Sequence, residues 1–140
     1  MKVYTFVIKG NQVDPVRGNP LPKVRFTGKQ SWRPEVQKYA RWKEYVRGCF
    51  LGYLMDQKLI NHAEFRGLAY GKTKPIVLAK DARAFMEIKI QWSSKVHGDP
   101  EGMFGSIADA LFDNDKNLAG SFDFEYSSDK KAMTFVTIRI

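Results

Sequence analysis

The sequence is poor in the residues that build disulfide frameworks and thiol- or imidazole-based metal sites. Cys49 is the single cysteine among 140 residues, and His62 and His97 are the two histidines. One cysteine excludes an internal disulfide and a cysteine-rich zinc site, and it is typical of a reducing compartment. Two histidines are too few for a histidine-based metal centre. Disulfide-stabilised scaffolds and zinc fingers are therefore excluded.

Long hydrophobic runs and several well-known catalytic motifs are also missing. No apolar run approaches the roughly 20 residues of a membrane-spanning helix. The first ten residues, MKVYTFVIKG, alternate between polar and apolar side chains, so they predict no signal peptide. We therefore expect a cytoplasmic protein with no membrane partner. There is no G-x-S-x-G motif, P-loop or Cys-His pair, so acyl transfer and nucleotide hydrolysis have no support.

Acidic residues are clearly outnumbered by basic ones. The chain has 23 Lys and Arg against 15 Asp and Glu, a formal net charge of +8, and an isoelectric point of about 9.6. This balance favours a polyanionic partner. Hydrophobic residues make up 44% of the chain and aromatic residues 14%, which suits a packed core. The length suits a single domain over residues 1–140.

Hydrophobic spacing and turn residues predict the secondary structure. A proline-rich loop is expected over 10–34, and 56–73 is ambiguous, with a short helix near 61–66. Residues 75–79 could add a strand. The main elements are predicted as strands over 2–9, 84–92, 122–126 and 133–140 and helices over 34–55 and 100–112. With a hairpin across 127–132, these predict one α/β (α+β) domain with a mixed, mostly antiparallel sheet and two main helices.

Acidic residues surround the helix predicted at 100–112. Asp99 and Glu101 lie at its start, and Asp113 and Asp115 lie just beyond its end. Carboxylate oxygens are the ligands of a hard divalent cation such as Mg²⁺. Local roles are the alternative: an N-cap for Asp99, a favourable dipole interaction for Glu101 and a turn for Asp115.

The acidic segment resembles the signature of RusA-type Holliday junction resolvases. In that family two acidic residues one apart are followed by Asn, a Lys early in the helix, an Asp-Ala-Leu run and a further Asp. The matching residues are Asp99, Glu101, Asp109, Ala110, Leu111 and Asp115. The proline-containing stretch 18–23 and the order of elements are also similar. Two positions depart from the family, with Gly102 in place of the Asn and Gly105 in place of the Lys.

The resemblance implies a homodimeric, Mg²⁺-dependent endonuclease (Mn²⁺ being an alternative ion) that resolves four-way DNA junctions in recombination and repair. Asp99, Glu101 and Asp115 would be its catalytic metal ligands. A second hypothesis is a resolvase-like protein that binds junctions but cuts poorly, because Gly105 cannot stabilise charge on the phosphate. A third is a basic protein-interaction domain. Asp109 lies about 12 Å along the helix from Glu101, so we interpret it as structural or dimer-facing.

Basic residues cluster in the first third of the chain, where Phe26, Trp32 and Trp42 are interleaved with them. This pattern predicts a phosphate-binding surface with an aromatic side chain able to stack on an exposed base. The alternatives are a solvated helix face for the basic residues, a core position for Trp42 and a solvent-facing loop position for His97. The predicted DNA contacts are Lys23, Arg25, Lys29, Arg33, Lys38, Arg41, Lys72, Lys74 and His97.

Overall fold

A computed structural model of the chain describes residues 2–24, 32–71 and 73–140. These residues form one small α+β domain with four strands and three helices. The elements are β1 (Val3–Lys9), α1 (Pro34–Asp56), α2 (His62–Tyr70), β2 (Ala84–Trp92), α3 (Pro100–Leu111), β3 (Leu118–Tyr126) and β4 (Met133–Arg139). No helix in these ranges combines the length and the hydropathy needed to cross a bilayer.

The strands form a single sheet in the order β1-β4-β2-β3. β4 pairs antiparallel with both β1 and β2, whereas β3 pairs parallel with β2. Parallel neighbours need a crossover connection, which α3 provides between β2 and β3. The prediction of a mixed, mostly antiparallel sheet is confirmed for the described residues.

The predicted hairpin between the last two strands is wrong. β4 lies between β1 and β2, so residues 127–132 pass over the end of β2 instead of forming a tight turn. The burial of the two strands explains this order. β4 buries every second side chain from Thr134 to Ile138, as a central strand does, whereas β3 exposes nearly all of its side chains, including Asp123 and Glu125. Charged residues are common on edge strands, where they discourage further pairing.

The core lies between one face of the sheet and the helices α1 and α3. The apolar residues of α1 recur at three- and four-residue spacing and are buried, as the sequence predicts. Trp42 is fully buried, and its indole Nε1 donates to Ser106 Oγ at 3.0 Å. The core alternative for Trp42 is therefore confirmed. The opposite face of the sheet is open and carries charged residues such as Lys89 and Glu125, which form an ion pair at 3.6 Å.

Residues 56–73, which the sequence left ambiguous, contain the short helix that was expected near 61–66. α2 is longer than expected and begins at a capping box in which Asn61 and Glu64 bond each other's backbone N–H groups. Residues 75–79 form no strand. Ile76 makes one isolated bridge with Phe112, because this segment pairs with the chain just after α3 and with none of the four strands. The described parts of the loop predicted over 10–34 are residues 10–24 and 32–34. They contain neither helix nor strand until α1 begins at Pro34.

Candidate functional site

The N-terminal end of α3 places two carboxylates at one edge of the sheet. Asp99 is the N-cap residue, and its Oδ1 accepts a hydrogen bond from the Gly102 N–H at 2.7 Å. Pro100 occupies the first helical position, where its missing N–H costs nothing. The capping role of Asp99 is thus confirmed. Asp99 Oδ2 accepts no hydrogen bond from the described residues, so one oxygen of this carboxylate is free for another role.

A concave site of about 500 Å³ opens beside these carboxylates. Its lining is contributed by the first turns of α3 and by the N-terminal loop. The residues that line it are Lys23, Asp99, Glu101, Gly102, Phe104 and Gly105. Asp99, Glu101 and Lys23 are all exposed, so both signs of charge face solvent in one depression. Of the sequence-predicted site residues, the fold brings these three together.

The two glycines that depart from the RusA-type signature are the places where the N-terminal loop packs. The Lys23 N–H donates to the Gly102 carbonyl at 2.9 Å. A Cβ atom built at Gly102 would lie only 2.9 Å from Pro22 Cβ, and one at Gly105 would lie 3.4 Å from Lys23 Cδ. The missing side chains therefore leave room for Pro22 and Lys23.

Sequence reasoning interpreted these glycines only as lost side chains. The signal that could have revealed the docking is their spacing with Gly98, since residues 98, 102 and 105 recur at helical intervals. Gly98 also packs on the loop, because a Cβ there would lie 3.2 Å from Pro22 Cγ. The side chain of Lys23 thus lies beside Gly105, the position at which the predicted signature has a lysine.

Asp115 lies away from this site. It follows the C-terminal end of α3, and its carbonyl accepts from the Leu118 N–H at the start of β3. β3 runs parallel to β2, so the start of β3 lies beside the start of β2. Asp99 follows the other end of β2, so the two aspartates lie toward opposite ends of these strands. The twelve residues of α3 span about 18 Å. Across residues 2–24, 32–71 and 73–140, no three His, Cys, Asp or Glu side chains group as metal ligands.

One chain therefore does not assemble the predicted trio of ligands. Asp115 can meet Asp99 and Glu101 only across two copies of the chain. Asp113, which also follows α3, has a structural role: its Oδ1 accepts from the Leu78 N–H at 3.1 Å, and its N–H donates to the Ile76 carbonyl. The alternative of a turn residue fits the local geometry of Asp115, whose carbonyl accepts from the N–H three residues later.

His97 is held between the end of β2 and the end of β3. Its ring stacks on Trp92 with centroids 3.8 Å apart, and the two planes differ by 5°. Nδ1 lies 2.6 Å from the Gly98 carbonyl and Nε2 lies 2.9 Å from Tyr126 Oη. With a proton on Nδ1 the ring donates to the carbonyl, and Nε2 faces the hydroxyl. This half-buried position does not match a solvent-facing loop histidine.

Asp109 is bound into a cluster of charges near the other end of α3. Its Oδ2 accepts from Tyr39 Oη at 2.8 Å and lies 3.4 Å from Lys43 Nζ. Burial alone would raise the pKa of this carboxyl. The hydrogen bond from Tyr39 and the charges of Lys43 and Lys74 outweigh burial and hold the pKa below its usual value. The structural interpretation of Asp109 agrees with these contacts.

The remaining predicted DNA contacts fall into three groups. Arg33, Lys38 and Arg41 are exposed at the start and along the first half of α1. Lys74 is half-buried, and its Nζ donates to the Asp109 carbonyl at 2.7 Å. Arg25, Lys29 and Lys72, together with Phe26, lie outside the described residues. Trp32, the other predicted stacking residue, is 70% exposed beside Arg33.

No model of a known protein family matches this chain, and no curated protein is significantly similar to it. The resemblance to RusA-type resolvases accordingly depends on the residues of the acidic segment and stays a prediction. The function must be argued from the site itself.

Proposed function

We propose that the protein is a Mg²⁺-dependent endonuclease that acts on branched DNA such as four-way junctions. One observation carries the proposal: Asp99 and Glu101 line the same concave site, with Lys23 beside them. Two carboxylates are enough for Mg²⁺, because this ion usually takes its remaining ligands from water and from substrate phosphates. Their hard oxygen atoms suit Mg²⁺ and also Mn²⁺.

Each residue of the site has a distinct part in this proposal. The hydrogen bond from the Gly102 N–H orients the Asp99 carboxylate, so Oδ2 and the Glu101 carboxylate are the ligands offered to the ion. When bound, Mg²⁺ supplies an activated water and neutralises the scissile phosphate. Lys23 contributes a second positive charge that holds a phosphate oxygen and stabilises the charge that develops there.

The basic surface supports DNA as the substrate. Exposed Arg33, Lys38 and Arg41 on α1 present positive charge that can contact the backbone without reading base sequence. A homodimer belongs to the proposal because a junction has two symmetric strands to cut and one chain offers one Asp99–Glu101 pair. A two-fold dimer would present two such pairs.

A second candidate is a protein that binds junction DNA without cutting it. The position of Asp115 favours it, because one chain supplies two acidic ligands to the site and not three. Asp99 would then serve as a helix cap alone. Binding would still depend on the basic surface and would weaken steeply with salt.

Cleavage of a labelled, mobile four-way junction in Mg²⁺ or Mn²⁺ tests the proposal. The informative variant is Asp99→Asn, because asparagine caps a helix as well as aspartate but cannot serve as an anionic metal ligand. We expect thermal stability to stay close to that of the wild type while cleavage falls at least about a hundredfold, as it does when a charge-stabilising group is removed.

Unchanged cleavage by Asp99→Asn would remove the proposed metal site. Tight, salt-dependent binding by the wild type with no cleavage in either metal would favour the second candidate instead. Junction affinity that did not fall with salt would contradict both candidates and point to a protein-interaction domain.

A further inference from the structure

Three cations from two parts of the chain lie close to one another near the C-terminal end of α3. Lys43 and Arg47 lie one turn apart on α1, and Lys74 lies in the segment that follows α2. Lys43 forms an ion pair with Asp109 at 3.4 Å, and Lys74 bonds the Asp109 backbone carbonyl. In the part of the chain that the structure describes, Asp109 is the one carboxylate ion-paired with these cations. Positive charge is therefore in excess here.

Arg47 has hydrogen-bonding capacity that its described neighbours do not use. Its Nη1 is 3.4 Å from the Gly71 carbonyl, a long and weak contact. Its Nε is buried and finds no acceptor among the described residues. Buried donors in folded proteins usually have an acceptor, so this N–H is available to a bound anion. A guanidinium group is well suited to the paired oxygens of a phosphate.

The charges of the cluster act on one another. Burial lowers the pKa of Lys74, and the charges of Lys43 and Arg47 lower it further, whereas Asp109 opposes them only in part. The ammonium group of Lys74 is thus destabilised by its surroundings. An anion bound among the three cations would relieve this repulsion.

We infer that Lys43, Arg47 and Lys74 form a subsite for one phosphodiester group of a DNA strand that also occupies the Asp99–Glu101 site. The inference rests on the proposed function, because that function supplies the strand. The spacing along α3 supports it. Residues 101, 105 and 109 follow one another at four-residue intervals and so form a single stripe along the helix.

Lys23 lies beside the middle of this stripe, at Gly105, and the cluster lies beside its end, at Asp109. From Glu101 to Asp109 is about 12 Å along the axis. At 3.4 Å of rise per nucleotide, this distance corresponds to roughly three to four nucleotides of one strand. The cluster would therefore contact the backbone a few phosphates away from the bond that is cut.

Binding of a fluorescent four-way junction, measured by anisotropy over a series of salt concentrations without Mg²⁺, tests the subsite. In Arg47→Gln we expect the slope of log Kd against log salt to fall by about 0.9, and affinity near 0.15 M salt to fall about fivefold. Arg47→Lys keeps the charge and should keep most of the slope. Lys89→Gln is the matched control, since it removes one positive charge from the open face of the sheet.

A slope in Arg47→Gln equal to that of Lys89→Gln would overturn the inference. If Arg47→Gln does not fold, Lys74→Gln provides the same measurement. The two proposals can fail separately. Cleavage by the wild type with no slope change in Arg47→Gln would reject the subsite alone, whereas the slope change without cleavage would reject the nuclease alone.

Free inorganic phosphate is the other ligand that this subsite would recognise, and a titration distinguishes it from DNA. Inorganic phosphate is added to ¹⁵N-labelled protein, and the amide signals near residues 43, 47 and 74 are followed by NMR. Shifts at these amides that Arg47→Gln abolishes, together with the slope change, support a phosphate subsite used by DNA. The same shifts without a slope change would assign the site to a free anion and overturn the inference.

Discussion

At the start of α3, Asp99 is exposed, and its side chain accepts a hydrogen bond from the backbone of its own helix. Ten residues later, Asp109 is half-buried and is held by side chains from α1. Both residues are aspartates of one amphipathic helix, yet their carboxylates face opposite surroundings. The charge of Asp109 is balanced by Lys43, and its Oδ2 is bonded by Tyr39, whereas Asp99 Oδ2 accepts no hydrogen bond from the described residues. The surroundings of each carboxylate, and not its residue type, therefore make Asp99 the candidate metal ligand of the two.

The largest expected effect on cleavage concerns the acidic residues at the N-terminal end of α3. We predict that Glu101→Gln lowers Mg²⁺-dependent junction cleavage at least about a hundredfold, because one of two anionic ligands is lost. Asp115→Asn should cause no comparable loss, since Asp115 lies at the opposite sheet edge. Single-turnover cleavage rates of the two variants decide this. An equal loss in Asp115→Asn would show that a second copy of the chain supplies the third ligand.

The second-largest expected effect on cleavage comes from disturbing the packing of the N-terminal loop on α3. In Gly102→Ala the new methyl group would lie 2.9 Å from Pro22 Cβ, so the loop must shift and carry Lys23 with it. We expect cleavage to fall about ten- to a hundredfold, since displacing a charge-stabilising group by about 1 Å is costly. The cleavage rate at saturating junction measures this.

Gly48→Ala is the matched control for that substitution. Nothing lies within 4 Å of a Cβ at Gly48 in α1, so alanine should stabilise the helix by about 0.5–1 kcal/mol without changing cleavage. A cleavage rate in Gly102→Ala equal to that in Gly48→Ala would show that the loop does not position Lys23.

For stability, in contrast to cleavage, we expect the substitution of Asp109 to have a larger effect than that of Asp99. Asp109→Asn removes a carboxylate that accepts from Tyr39 and balances Lys43, so we expect a loss of about 1–2 kcal/mol in the free energy of unfolding. Asp99→Asn should change it by less than about 0.5 kcal/mol, because the cap is kept. Urea unfolding at neutral pH measures both. Equal losses would mean that the contacts of Asp109 contribute little.

The smallest effect is a pH dependence of stability. The pKa of Asp109 is lowered in the folded protein, so its contribution is fully present above the unfolded carboxyl pKa of about 3.9 and is lost as the pH falls through the lower folded value. Urea unfolding at a series of pH values below neutrality measures this loss. Asp109→Asn should show a shallower decline in acid than the wild type, and an unchanged decline would assign it to other carboxylates.

Patterns within a few residues predicted most of the elements. The three- and four-residue spacing of Val36, Tyr39 and Trp42 indicated α1, and the alternation over 84–92 indicated β2. The Asp99–Pro100 dipeptide marked the start of α3. These predictions succeeded because helix and strand periodicity, proline at N1 and capping are local interactions.

The site was predictable only in part from the same patterns. The sequence indicated Asp99 and Glu101 as neighbours because they are two residues apart at one helix end. It offered no means to place Asp115, because that depends on which strand follows α3 and in which direction it runs. It indicated Arg47 only as one of the basic residues along α1, because Lys74, which lies near it in the fold, is far away in the chain.

The sequence by itself determined the two carboxylates at the start of α3, the excess of basic residues and the identity of the core-facing side chains. The tertiary structure alone decided that β4 enters the middle of the sheet, that Lys23 packs against Gly105 and that Asp109 is surrounded by cations. The reason is physical. Local spacing sets secondary structure, whereas strand order and loop docking depend on burying apolar area between segments that are distant in sequence.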